Sequence, residues 1–167
     1  MSTIATTSPT SRNSFLRLSV SAGLITGALH IIIQVAVVFV LIVKASTFMV
    51  GLQYVASGAI GDAAYTGGLT TALLGFILEF VITIIIAGIF IFSASRIPLL
   101  QKNVIVGSLL YGFGVFIIMN FIVLPLSAAQ ILPAPPIWFL IEIILEHILL
   151  IGLPLGILVR RNANTNS

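Results

Sequence analysis

Four apolar runs dominate this chain, each of about 20 residues and each long enough to cross a hydrocarbon layer of roughly 30 Å at about 1.5 Å per residue. They extend over about Ala22 to Val43, Leu69 to Phe92, Val104 to Leu124 and Ile137 to Val159. In lipid such a run has no water to bond its backbone, so it must pair its own N–H and C=O groups, as a helix does. Only 7% of the 167 residues are charged and 59% are hydrophobic, whereas soluble proteins carry about 25% charged residues. The expected fold is therefore an all-α membrane protein, a four-helix transmembrane bundle that fills residues 18–161 as one domain. A disordered tail at 1–17 and a short polar tail at 162–167 flank it.

The boundaries carry recognisable punctuation. Met1 to Ser14 is rich in Ser and Thr, contains Pro9 and has no apolar period. Arg12 and Arg17 ahead of the first run fit the start of a secretory signal, but such signals have an apolar region of only about 7 to 15 residues, so the first helix is expected to stay as an anchor. Gly67 and Gly68 open the second run; Arg96, Pro98 and Lys102 mark the turn before the third; Pro125, Pro133, Pro135 and Pro136 separate the third from the fourth; Arg160 and Arg161 close it.

Cytoplasmic loops carry the excess of Lys and Arg. With four crossings, Arg12, Arg17, Arg96, Lys102, Arg160 and Arg161 share one side and Lys44 stands alone on the other, whereas three or five crossings would scatter them. Both termini are thus expected in the cytoplasm. The first outer loop, Phe48 to Gly68, is too weakly apolar to span. It reads as an additional interfacial or re-entrant helix, the interfacial form being favoured because Asp62 needs water or a partner.

Several function classes fall away at this point. The chain has no cysteine, which excludes thiolate metal sites and thiol catalysis. Its net charge of +3 comes from scattered residues that form no basic stripe, so no nucleic-acid partner is expected. Neither a phosphate loop nor a cofactor fingerprint is present, and no nucleophile has an evident base; a non-enzymatic protein without a resident cofactor is expected. The expected partners are the lipid bilayer and either a second copy of the chain or another membrane protein.

What remains is a small set of polar residues inside the runs: His30 and Gln34 in the first, Glu79 and Thr83 in the second, and Glu142, Glu146 and His147 in the fourth. A charged group at a helix centre costs about 2.5 to 3.5 kcal/mol to insert, so such residues face a bundle interior or a wet cavity. Counting from the run ends puts His30 roughly 12 Å from the inner boundary, and Glu79, Glu146 and His147 roughly 14 to 15 Å from the outer one, all near the midplane. Positions four apart share a helix face, which gives the stripes His30–Gln34, Gly75–Glu79–Thr83 and Glu142–Glu146. His147 points about 100° away from Glu146, toward a different neighbour. Two carboxyl groups one turn apart in low dielectric cannot comfortably both ionise, so one is expected to keep its proton unless a cation sits between them.

Three readings of this cluster stay open, with the structural one preferred and the pathway second. It can be structural, with neutral carboxyl groups bonding His30, Gln34 or a carbonyl; it can form a proton or cation pathway; or it can hold a metal or haem, with His30 and His147 as opposite ligands. The last is weakened by spacing, since a bundle di-iron site uses Glu-x-x-His and this chain has Glu-x-x-x-Glu-His. In the third run Gly107, Ser108, Gly112 and Gly114 suit close helix packing. Asn120 near its outer end reads as a cap, a bridge to the proline loop or part of a mouth. Gly152, Pro154 and Gly156 predict a kink in the fourth helix.

The strings Leu52-Gln53-Tyr54-Val55-Ala56-Ser57-Gly58, Gly67-Gly68, Tyr111-Gly112, Met119-Asn120, Pro125-Leu126-Ser127, His147, Gly152-Leu153-Pro154 and Arg160-Arg161 resemble a family of bacterial four-helix membrane proteins with no agreed activity. The chain is also distantly similar to the YagU-like inner-membrane proteins. The resemblance covers roughly residues 20 to 161 and implies a bacterial cytoplasmic membrane location. Related sequences carry an acid where His30 stands and a His where Glu79 stands. That exchange implies a contact between the first and second helices, and it argues against either residue alone being a specialised catalyst.

Overall fold

The computed structural model describes residues 9–37, 45–97, 100, 103–129 and 137–165. Expectations that concern Lys44, Pro98, Lys102, Pro133, Pro135, Pro136, the segment before Pro9 and the first run beyond Val37 lie outside the described residues. Within them the chain is all helical. The order is α1 (Pro9–Val37), α2 (Ala45–Ile60), α3 (Ala63–Thr66), α4 (Gly68–Arg96) and α5 (Val104–Ile118), which continues through a π turn (Met119–Val123) into α6 (Leu124–Leu126). Then come α7 (Ile137–Glu146), a second π turn (His147–Gly152) and α8 (Leu153–Thr165). Four helical stretches, Asn13–Ala36, Gly68–Arg96, Val104–Leu126 and Leu140–Asn162, are long and apolar enough to cross a membrane.

The first helix begins earlier than its composition implies. Residues 9–17, expected in the disordered tail, belong to α1. Proline at a first helical position gives up no hydrogen bond, and once the apolar segment has nucleated a helix each added residue costs little, so weak formers such as Ser11 and Asn13 are carried along.

Both π turns stand two residues ahead of a proline, Pro125 and Pro154. In each, an N–H reaches back five residues instead of four: Leu124 N–H donates to the Met119 carbonyl and Leu153 N–H to the Ile148 carbonyl. A proline ring in an α-helix collides with the carbonyl four residues before it, here Phe121 or Leu150, and the wider turn moves that carbonyl aside. Where a kink was expected, at Gly152–Gly156, the fourth long helix has a π turn over His147–Gly152 and regular helix from Leu153 onward. Asn120 Nδ2 donates to the Phe116 carbonyl at 2.9 Å, within its own helix.

Helices α1 and α4 run antiparallel in close contact. Gly23 lies on the backbone of Ile84, and Gly27 on Thr83 and Phe80, so an added methyl at either would collide. The third and fourth long helices make a second such pair: Gly112 meets the His147 carbonyl and Gly152, and Gly152 meets Ser108 in return. Gly107 rests on Leu100, whereas Gly114 has nothing within 4 Å of a built Cβ and takes no part in packing among the described residues. The apolar core joins both pairs through Ala22, Ile86, Ala87, Phe90, Ile91, Val115, Ile151 and Leu155. Tyr111 ties the pairs together, its hydroxyl donating to the Ile86 carbonyl at 2.7 Å while its ring lies 5.0 Å from that of Phe90.

The antiparallel pairing gathers Arg17, Arg96, Arg160 and Arg161 at one end of the bundle. At the opposite end α2 crosses the first turns of α4, with Leu52 and Ala56 against Gly75 and Gln53 Nε2 donating to the Gly68 carbonyl at 3.1 Å. Gly61, at φ 63°, makes the left-handed turn into α3 that a side chain would resist. The outward faces carry large exposed apolar residues, among them Leu73, Val81, Ile85, Ile89 and Phe92 on α4 and Val106, Leu110 and Ile117 on α5.

Candidate functional site

Residues from three helices converge on one imidazole. His30 follows from the α1 face that Gly23 and Gly27 press against α4, because 23, 27 and 30 lie three and four residues apart on one side of a helix. The close approach brings His30 Nδ1 to 2.6 Å from Oε1 of Glu79, a hydrogen bond in the short, charge-assisted range. The other ring nitrogen, Nε2, faces Oε2 of Glu146 on α7 at 3.7 Å, an ion-pair distance rather than a hydrogen bond. All three side chains are largely withdrawn from the surface, at 12 to 14% exposure.

The contact between first and second helices implied by the exchanged His and acid is thus present, and Glu146 adds the fourth helix to it. Counted along the helices, the centre lies about 20 to 25 Å from the arginines, and Glu79 about 16 Å from Gly68, at 1.5 Å per residue.

Glu142 and Glu146, one turn apart, line an open groove of about 380 Å³ between α1 and the fourth long helix. Its walls are aliphatic, formed by Ile33 of α1 with Ile141, Leu145 and Leu149. These four are 37 to 51% exposed, so the groove opens sideways from the bundle. The stripe 141–145–149 makes the outer rim and the stripe 142–146 the floor, as the helical repeat requires.

His147 turns away from this centre, as its 100° offset from Glu146 implies. Its Nδ1–H donates to the Ile143 carbonyl at 2.8 Å and its ring packs edge-on to Phe116 of α5, centroids 5.7 Å apart. A carbonyl can only accept, so the proton of a neutral His147 sits on Nδ1. The opposed-histidine haem arrangement is not formed: both nitrogens of His30 face carboxylates, and His147 is engaged on another interface. Among the described residues no group of three or more His, Asp or Glu side chains is placed to hold a metal ion.

Thr83 shares the Glu79 stripe but bonds its own helix, donating to the Glu79 and Phe80 carbonyls at 3.0 and 3.1 Å. Gln34 is half-buried one turn beyond His30, whose nitrogens face Glu79 and Glu146. One polar residue escaped the sequence reading. Thr26 is 1% exposed and its hydroxyl has no hydrogen-bond partner among the described residues. Extending the His30–Gln34 stripe one turn back would have found it.

No family model, curated protein or solved structure matches the chain.

Proposed function

We propose that this chain is a multi-pass membrane protein in which the Glu79–His30–Glu146 centre exchanges protons with a cation that enters by the Glu142 groove, making it a small proton-coupled transporter. The observation that carries this reading is Glu142. The imidazole already faces one carboxylate on each side, so helix locking is complete without a third acid, yet the chain carries one on the floor of an open groove.

The chemistry is suited to exchange. Two protons shared among His30, Glu79 and Glu146 can rest as an imidazolium between two carboxylates, or as a neutral imidazole beside one carboxylic acid. Both states hold the same number of protons, so a proton passes between His30 and Glu146 as soon as their 3.7 Å gap closes to hydrogen-bond length.

The membrane setting is supported by four apolar helices of spanning length and by outward faces of exposed large aliphatic side chains, which in water would drive aggregation. The clustered arginines favour a cytoplasmic location for that end of the bundle, and the family resemblance favours a bacterial cytoplasmic membrane. Helix α2 is read as interfacial, since Asp62 just beyond it is exposed.

A competing structural reading draws on the 2.6 Å His30–Glu79 contact, which alone would hold two helices in register. Proteoliposomes loaded with a pH dye separate the two. The transporter reading expects cation-dependent proton flux that disappears in Glu146→Gln; no flux from well-folded wild type, with Glu146→Gln losing only yield, would leave the structural role.

A further inference from the structure

We infer that the substrate of the groove is a lipophilic organic cation, a hydrophobic amine or onium compound, taken sideways from the membrane. The inference rests on the proton-coupled reading above and deepens it. It begins with a charge imbalance. Two carboxyl groups, Glu79 and Glu146, face one imidazole and a third, Glu142, lies one turn from Glu146 in the groove, while Arg17, Arg96, Arg160 and Arg161 stand about 20 Å or more away at the end of the bundle. His30 can balance one carboxylate; protons or an outside cation must balance the others.

The walls decide which cation. A small inorganic ion binds where several oxygens replace its water, about six to eight for Ca²⁺, and aliphatic walls with two carboxyl groups do not supply them. A large cation with diffuse charge sheds little hydration, and its apolar body is at home against Ile33, Ile141, Leu145 and Leu149. A volume of about 380 Å³ is in the range of small-molecule sites. The exposed rim gives access from the side, where an amphiphile dissolved in lipid would arrive.

Entry of the cation breaks the O–H bond of whichever of Glu142 or Glu146 holds a proton. The proton leaves to water and the resulting carboxylate pairs with the cation; nothing is oxidised or reduced. The groups that bear on this titration are Glu142, Glu146 and His147 of the fourth helix, His30 of α1 and Glu79 of α4. Because protons and cation compete, binding should weaken as pH falls, by up to about tenfold per pH unit while one proton is exchanged.

Tetraphenylphosphonium is the probe, and tetraphenylborate, of matching size and opposite charge, is its control, both measured on the full chain in lipid nanodiscs. The expected result is saturable phosphonium binding that is tighter at pH 8 than at pH 6, releases protons into weakly buffered solution and falls at least tenfold in Glu142→Gln. Leu145→Trp, which fills the groove and keeps every charge, should block it equally, and Asp62→Asn, which does not line the groove, should not change it. Saturable borate binding, pH-independent phosphonium binding, or full binding by folded Glu142→Gln would overturn the inference. Proton flux in the liposome assay without phosphonium binding would sink the organic cation and leave proton coupling standing; phosphonium binding without flux would keep the site and remove the transport reading.

Discussion

The two tight helix pairs are built alike and spend their polar residues differently. Each uses glycines to bring backbones together, Gly23 and Gly27 between α1 and α4, Gly112 and Gly152 between the third and fourth long helices. Each also holds a histidine. His30 reaches across to Glu79, whereas His147 bonds the Ile143 carbonyl one turn back on its own helix. Ser108 and Asn120, also of the second pair, are likewise satisfied by carbonyls of their own helix, Ile105 and Phe116. Close packing thus needs no polar partner across the interface, and a polar contact made across it, at the cost of burying charge, stands out as serving something else.

The largest effect should come from breaking the cross-helix pair. Glu79→Ala leaves His30 facing an empty position and is expected to destabilise by about 3 to 5 kcal/mol, read from denaturant unfolding in bicelles. The exchange His30→Glu with Glu79→His should recover part of that loss, and no recovery would argue against a direct contact. Next comes overpacking: Gly112→Leu drives a side chain into the His147 carbonyl and should cost about 1 to 3 kcal/mol or more, with the same assay as the check.

His147→Leu removes one hydrogen bond that does not cross helices and should cost only about 0.5 to 1.5 kcal/mol. Combined with Glu79→Ala its effect should add to within about 0.5 kcal/mol; a larger coupling would mean that the two interfaces are not separate after all. The smallest effect is expected at Gly114, where Gly114→Ala meets open space and should change stability by no more than about 0.5 kcal/mol.

The same contrast explains what could be read from residues alone. Helix number and approximate spans followed from apolar runs, because chain length in lipid is a one-dimensional constraint. The start of α1 did not, since Ser- and Thr-rich turns are helical only by continuation from the apolar segment. Stripes at four-residue spacing correctly separated His147 from Glu146, but they could not tell which polar groups would bond across and which would fold back, as Thr83 and Asn120 do. Both choices have the same periodicity and differ only in interhelical distance. That distance had a signal, Gly23-x-x-x-Gly27, a small-x-x-x-small spacing that marks the tight face of α1 and so places His30 against α4. Pro154 announced an irregular helix and Pro125 only a boundary, but the π turns lie ahead of both, where the displaced carbonyl is.

The account depends above all on one imidazole held between carboxyl groups of two other helices inside the bundle. Solid-state NMR of the chain in bilayers, with ¹⁵N-histidine and ¹³C-glutamate labels and His147 replaced to leave a single ring, measures this directly. The account predicts strong dipolar coupling from the His30 nitrogens to the Glu79 carboxyl carbon and a weaker one to Glu146, lost in turn in Glu79→Gln and Glu146→Gln. Coupling to neither carboxyl in folded protein would contradict it.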